Sequence, residues 1–290
     1  MSTQDKSYVT PLSPTVMARV KRGLSHIESL EHEVATWARE STRIVHRKSD
    51  DGRRFEVEIQ VVTPPPSNEW GQIFGDAVHK LRSALDLWMW EKTKEQSKGD
   101  IEPRDVYFPV CTSAKAWRNW KARTAPYLEV HLVMALRSFQ PYLHKEVKNN
   151  ALAGLHQIDN IDKHQETIDI IVVPESIADI SFTPRGSTAA ERRVSMDQLE
   201  IDGETGGVIL KVDFEQPPLD VQLPDSFRWV AAFKTAAGIH NTSDSLRIFA
   251  QAAQTYPMRA EAMAAKMKAE AGSEMRESDD DTTDDDDCEK

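Results

Sequence analysis

The sequence predicts an α+β fold, and the main evidence is a change of hydrophobic period along the chain. As far as residue 165, apolar residues recur every three or four positions, which is typical of amphipathic helices. From Ile168 the period changes to two and β-branched residues dominate, as they do in strands. A hairpin pattern at residues 42–62 interrupts the helical part. We therefore expect a helical bundle with a β-hairpin and a C-terminal antiparallel sheet.

The first helix is expected after a flexible lead-in at residues 1–12. Ser13 and Pro14 have the residue types of an N-cap and a first helical position. The apolar residues that follow form one seam, made of Val16, Val20, Leu24, Ile27, Leu30, Val34 and Trp37. We interpret the seam as packing within the chain. A coiled-coil dimer is the alternative, although sustained heptads are missing.

A β-hairpin follows, with strands at 42–47 and 54–62 on either side of an Asp50-Asp51-Gly52 turn. Its second strand alternates apolar and polar residues, so one face is expected to be buried. The three prolines at 64–66 are expected to form a rigid spacer, with a recognition segment as the alternative.

The central helix is expected to begin near Ser67 and to end before Gly99. A short helix at 114–121 follows and carries Trp117 and Trp120. Their spacing favours packing in the core, with stacking on nucleic-acid bases as the alternative.

Two more helices, at 128–139 and 149–163, are separated by the helix-breaking sequence Gln140-Pro141-Tyr142. Strands are then expected at 168–173, 177–183, 193–196, 208–214, 221–223 and 227–233. The last helical region is expected to stop at Pro257 and to resume as an alanine-rich helix to about Ala271.

The domain organisation follows from these elements. We expect a helical domain at 13–165 with the hairpin 42–62 inserted, an antiparallel β region at 166–235, C-terminal helices at 236–272 that pack on the core, and a disordered acidic tail at 273–290. The tail contains ten acidic and two basic residues, so it carries −8 of the formal net charge of −11. We interpret it as a solubilising end, with competition for a basic surface as the alternative.

Composition limits the function classes. No segment is long and apolar enough to span a bilayer, and residues 1–10 lack the pattern of a secretory signal. A cytoplasmic protein with no cofactor and no membrane partner is expected. Outside the tail the formal charge is only −3, which neither favours nor excludes binding to nucleic acid.

A stripe of polar residues on the central helix is the main candidate site. His79, Arg82 and Asp86 fall at i, i+3 and i+7, so they share one helical face. Asp162 and His164 on the helix at 149–163 supply a second set of partners. Arg82 is expected to pair with Asp162 or Asp86, while His79 or His164 could exchange protons. We interpret the arrangement as a buried lock between helices, with a catalytic site as the alternative.

The same second helix contains many ligand-type side chains. They are His156, Asn160 and His164 on one stripe and Asp159, Asp162 and Glu166 on the next. Their spacing matches no established metal signature, so no metal is predicted. A metal site at His156, Asn160 and His164 remains the alternative.

Four blocks in the chain together resemble a set found in uncharacterised bacterial proteins. They are VHKLRSALD at 78–86, FPV at 108–110, QPY at 140–142 and IDNIDKH at 158–164. This resemblance implies bacterial relatives and assigns no activity.

Arg82 in its helix is also similar to the motif of HEPN domains, helical bundles that include metal-independent RNases. The chain departs from that motif, because Leu87 stands where a histidine is expected and Gln165 where a basic residue is expected. The resemblance thus implies a non-catalytic binding or assembly module with an unknown protein partner or a second copy bound through the helical core. The alternative is an RNase acting on RNA through Arg82 and His164 or His79.

Overall fold

The computed structural model describes residues 10–147, 150–164, 168–176, 181–183, 192–195, 206–223, 228–235 and 238–280. The α-helices in this part of the chain are α1 (Pro14–Ser41), α2 (Ser67–Gln96), α3 (Ala114–Thr124), α4 (Val130–Ser138), α5 (Ala151–His164) and α6 (Thr242–Asp280). The strands are β1 (Thr42–Lys48), β2 (Arg54–Val61), β3 (Ile170–Ser176), β4 (Ser181–Thr183), β5 (Arg192–Ser195), β6 (Gly206–Phe214), β7 (Asp220–Gln222), β8 (Arg228–Thr235) and β9 (Gly238–Asn241). The α+β fold class is confirmed.

The two long helices form where the sequence pattern predicts them. In α1 the seam is buried at Val16, Val20, Ile27, Leu30, Val34 and Trp37. Because this burial occurs in a single chain, the seam packs intramolecularly, as predicted. Among the described helices, none combines the length and the apolar character that crossing a lipid bilayer requires.

The hairpin β1–β2 belongs to a larger sheet than the sequence pattern indicates. We expected a hairpin and a C-terminal antiparallel sheet without assigning pairing between them, whereas β2 pairs antiparallel with β6 and the sheet order is β1-β2-β6-β5. The other described strands form a sheet of β3, β8 and β9 and a pair of β4 with β7. An isolated hairpin is marginally stable in water, whereas β6 supplies a third strand and an apolar face that cover Val57 and Ile59.

The pairing of β2 with β6 requires glycine at one position. Gly206 has a φ of 83°, and a Cβ built there would lie 1.9 Å from the Ile59 carbonyl oxygen. A side chain would therefore have to displace backbone. The close approach explains a glycine at the start of β6.

Helix α6 corrects two expectations about the C-terminal region. It runs without interruption through Pro257 and ends at Asp280, beyond the predicted end near Ala271. Ala253 and Ala260, on either side of the proline, are fully buried. Packing on both sides thus offsets the missing backbone hydrogen bond, which costs ~3 kcal/mol in a helix interior. Of the predicted disordered tail at 273–290, residues 281–290 lie outside the described residues, so that prediction stands untested for them.

The chain divides into two compact units, each assembled from separate stretches. Unit 1 comprises residues 1–24, 78–163 and 247–290, and unit 2 comprises residues 25–77 and 164–246. The inserted hairpin lies in unit 2 together with the C-terminal strands, which differs from the domain order expected from the sequence. The candidate residues His79, Arg82, Asp86 and Asp162 lie in unit 1.

Candidate functional site

Two side chains of α2 hold both backbone polar groups of Phe108. The Phe108 N–H donates to the Asp86 carboxylate at 2.9 Å, and Arg82 Nη2 donates to the Phe108 carbonyl at 2.9 Å. Arg82 Nη2 also lies 3.0 Å from Asp86 Oδ1. Because Arg82 and Asp86 are one helical turn apart, α2 presents an acceptor and a donor side by side, much as a neighbouring strand would.

Two side chains of α3 hold the segment that precedes Phe108. Trp120 Nε1 donates to the Tyr107 carbonyl at 2.9 Å, and the Thr124 hydroxyl donates to the Asp105 carbonyl. These bonds supply partners for partly buried backbone groups that have no strand beside them.

Gln140 holds the segment that follows Phe108. Its side chain is completely buried. Its Oε1 accepts from the Cys111 N–H at 2.9 Å, while its Nε2 donates to the carbonyls of Pro109 at 3.2 Å and Leu136 at 2.9 Å. The Tyr142 N–H then donates to the Cys111 carbonyl at 3.1 Å. One amide side chain therefore joins the end of α4 to the extended segment.

A second polar cluster joins α2 to α5 around Asp159. This carboxylate is 2% exposed and accepts from Lys163 Nζ at 2.6 Å. His79 Nδ1 lies 3.2 Å from its other oxygen. Since an ionised carboxylate only accepts, Nδ1 must carry the proton in this contact, and Nε2 is left for proton exchange. The His79 side chain is 44% exposed, so the imidazole is both oriented from behind and open to solvent.

His156 lies further toward the start of α5, where its surroundings disfavour the charged imidazole. Its Nε2 is 3.1 Å from the Asn160 amide nitrogen. Burial, and secondarily the charge of Arg82, lower the pKa of His156 below its ordinary value. Within the described residues, the buried nitrogens His156 Nδ1 and Arg82 Nη1 have no hydrogen-bond partner. Part of the polar network is therefore left unsatisfied.

The four sequence blocks supply most of these contacts. Arg82 and Asp86 come from the first block, Phe108 from the second, Gln140 from the third and Asp159 from the fourth. The chain matches no protein-family model, no curated protein and no solved structure. The first and third blocks hold the backbone of the second, and Asp159 of the fourth block contacts His79 of the first.

The candidate site residues do not all meet at one place. Arg82 pairs with Asp86, which is one of its two predicted partners, and His79 contacts Asp159, which the sequence reasoning considered only as a metal ligand. Asp162 is half-buried on α5. The side chain of His164 lies outside the described residues, so a cluster of His79, Arg82 and His164 stays a prediction.

The metal alternative gains no support from the geometry. Among the described residues, no three His, Cys, Asp or Glu side chains lie together as an ion would require. Of the three proposed ligands, His156 uses Nε2 to contact Asn160, and the side chain of His164 is outside the described part.

The paired tryptophans of α3 are core residues. Trp117 and Trp120 are 6% and 1% exposed and stack on each other with ring centroids 4.8 Å apart. This burial favours the core interpretation over base stacking.

Cys111, which precedes α3 in the chain, is also buried. Burial raises the pKa of its thiol to about 11, although the charge of Arg82 acts in the opposite direction.

Two important residues were missed as structural partners. Asp159 follows Leu152 and Leu155 at i+7 and i+4, so a carboxylate interrupts the apolar face of α5 and signals a buried partner. Gln140 carries no such signal. Its partners are backbone groups, which every residue type possesses.

Proposed function

We propose that this chain is a non-catalytic binding or assembly module of the bacterial cytoplasm, built on a HEPN-like helical core. The observation that carries the proposal is the burial of Arg82, which is 5% exposed. Its Nη2 nitrogen donates to the Phe108 carbonyl and contacts Asp86. An arginine that stabilises charge on an RNA substrate must reach that substrate, whereas this guanidinium holds the fold together.

The residue after Asp86 supports the same proposal. Leu87 has no ionisable group, so the position at which a HEPN-type RNase is expected to carry histidine cannot transfer a proton. The partner we propose is another protein or a second copy of this chain, bound through the helical core.

Two measurements on the full chain test the binding part of the proposal. Affinity capture from bacterial cells should recover a stoichiometric protein partner, or sedimentation velocity should show a concentration-dependent dimer. Adding a synthetic peptide of residues 273–290 as a competitor identifies any capture that is due to the acidic tail alone. The proposal would be contradicted if no dimer forms and no protein remains captured in the presence of the peptide.

A metal-independent RNase is the second candidate, and one observation favours it. His79 is open to solvent and its ring is oriented by a buried carboxylate, which is an arrangement that general acid–base catalysis uses. This candidate acts through His79, with His164 as the other imidazole that the sequence offers.

Incubation of the full chain with total RNA in the presence of a metal chelator separates the two candidates. We expect no cleavage beyond that of a His79→Gln variant purified in the same way. Cleavage by the wild type that is lost in His79→Gln would instead establish the RNase. The substitution is suited to the purpose because His79 is half-exposed and a glutamine retains a donor for Asp159.

A further inference from the structure

A groove with a cationic lining lies between α1 and α2 within unit 1. It has a volume of about 460 Å³, and its lining includes Thr15, Arg19, Arg22, His79 and Lys80. On α1, Thr15, Arg19 and Arg22 follow each other at i, i+4 and i+7, so they share one helical face. We refer to this region as the cationic groove.

The charge of the cationic groove is opposite to that of the whole chain. Arg19, Arg22 and Lys80 are basic side chains, and His79 adds an imidazole. The lining that the structure describes contains no acidic side chain, although the chain carries a formal net charge of −11. A concave surface of one sign attracts ligands of the other sign and raises their local concentration.

Two of the basic groups are held in place by contacts with other residues of unit 1. Arg19 Nη1 donates to the Ser83 carbonyl at 3.0 Å, which ties α1 to α2 at the groove. A guanidinium has five N–H donors, so this bond leaves others for a ligand. His79 is held through Nδ1 by Asp159, whose charge is in turn paired with Lys163. Groups that are already oriented lose less side-chain entropy when a ligand binds.

Surface arginines and lysines on helices are usually solvated and bind nothing. The cationic groove differs from such a surface in three respects, which are its concave shape, the anchored poses of Arg19 and His79, and the all-basic charged lining. Its volume falls within the range of small-molecule sites, roughly 300–1,000 Å³, and is larger than one inorganic anion requires.

We propose that the cationic groove binds the phosphate group of a nucleotide or of an RNA backbone. Phosphate oxygens only accept hydrogen bonds, and the planar donors of Arg19 and Arg22 suit them, while Lys80 contributes a point charge. The imidazole Nε2 of His79 supplies one further polar contact. The remaining volume accommodates the sugar and base to which the phosphate is attached.

This inference goes beyond the proposed function, because it requires neither a protein partner nor cleavage of RNA. Phosphate binding without cleavage is compatible with a non-catalytic module. Failure of phosphate binding leaves the capture and sedimentation results unaffected, so the two proposals fail separately.

Binding is tested on the full chain with matched probes. Inorganic phosphate, adenosine monophosphate and adenosine are titrated by calorimetry, and a short single-stranded RNA is followed by fluorescence anisotropy. The same titrations are repeated with the double variant Arg19→Glu/Arg22→Glu. Lys21→Glu is the control, because Lys21 is exposed on the same helix but lies outside the groove lining.

We expect adenosine monophosphate or the RNA to bind, and adenosine to bind at least about tenfold more weakly than its monophosphate, since the phosphate carries the charge-assisted bonds. Binding by the nucleotide identifies a small-molecule site, and binding by the RNA alone identifies a backbone site. Arg19→Glu/Arg22→Glu should weaken binding by about tenfold or more, while Lys21→Glu should change it by no more than about twofold. Circular dichroism confirms that each exposed substitution leaves the helices intact.

Two results would overturn the proposal. One is a wild-type chain that binds neither the monophosphate nor the RNA at millimolar concentration. The other is equal weakening by the groove variant and by Lys21→Glu, which would mean that bulk charge, not the groove, attracts the ligand.

Discussion

Arg82 and Asp86 lie 3.0 Å apart on successive turns of α2, and the same two side chains bind the carbonyl and the N–H of Phe108. The pair therefore acts on the backbone of a distant segment as well as on itself. Arg82 is nearly inaccessible, whereas the Asp86 side chain is 37% exposed. Substitutions at the two positions should therefore lower the free energy of unfolding by different amounts.

Replacing Arg82 by methionine should lower the free energy of unfolding by ~3 kcal/mol, because it leaves the Phe108 carbonyl without its donor and the Asp86 carboxylate without its ion-pair partner. Asp86→Asn should cost only ~1 kcal/mol, since the amide oxygen can still accept from the Phe108 N–H. Urea denaturation of both single variants and the double variant measures this. Losses that add without any coupling would contradict the shared role of the two side chains.

Gln140→Ala should be among the more damaging polar substitutions in the chain. It removes the hydrogen-bond partner of the Cys111 N–H and of the Pro109 and Leu136 carbonyls at a fully buried position. The free energy of unfolding should therefore fall by ~3 kcal/mol. Gln251→Ala is the matched control, because Gln251 is exposed on α6. This control substitution should change the free energy of unfolding by no more than about 0.5 kcal/mol. Comparable urea midpoints for the two variants would show that Gln140 does not hold the extended segment.

Cys111 should react slowly with iodoacetamide in the folded protein. Its thiol is buried and has a pKa of about 11, so at pH 8 only about one molecule in a thousand carries the reactive thiolate. The experiment uses a Cys288→Ser variant, which leaves Cys111 as the single thiol. Labelling should become rapid when guanidinium unfolds the chain. Complete labelling within minutes under native conditions would show that the thiol is accessible.

Acidification should weaken the fold through His156. Since the pKa of His156 is lower in the folded chain than its ordinary 6.5, the unfolded chain binds more protons below that pH, and stability falls as the pH decreases from about 6.5. The stabilisation is therefore fully present above the ordinary pKa. A His156→Gln variant should lose less stability than the wild type between pH 7.5 and pH 5, by urea denaturation at each pH. Parallel losses in the two proteins would exclude His156 as a source of the acid sensitivity.

Gly206→Ala should disrupt the pairing of β2 with β6. The new Cβ would meet the Ile59 carbonyl, and the positive φ adds strain, so a loss of at least ~3 kcal/mol is expected in thermal or urea unfolding. Gly99→Ala provides the comparison, because a Cβ at Gly99 meets nothing within 4 Å. If both alanine variants have the same unfolding midpoint as the wild type, β2 and β6 do not approach as closely as described.

Hydrophobic periodicity was sufficient to predict the helices and most strands, since burial of one face leaves a repeating pattern in the sequence. The same pattern does not identify which other strand a given strand pairs with. The alternation in β2 predicts a buried face but says nothing about β6, which lies about 150 residues away along the chain and completes the sheet. Strand β9 was missed because its four residues carry no clear alternation.

The candidate site was predictable only in part, for a related reason. The spacing of Arg82 and Asp86 places them on one helical face and predicts an ion pair. Their other partner is the backbone of Phe108, and a backbone N–H or carbonyl leaves no trace in residue identity. At Pro257, likewise, a local rule predicted a break, but burial of both flanking turns outweighed it.

The division of each compact unit among separate stretches has a consequence for synthesis on the ribosome. Unit 2 needs residues up to 246, and unit 1 needs α6, in which Phe249 contacts Gly154 and Glu261 accepts from Trp88. Neither unit can close while the first half of the chain emerges. The apolar faces of α1 and α2 therefore lack part of their packing until α6 has been synthesised, and we expect chaperones to bind the nascent chain during that interval.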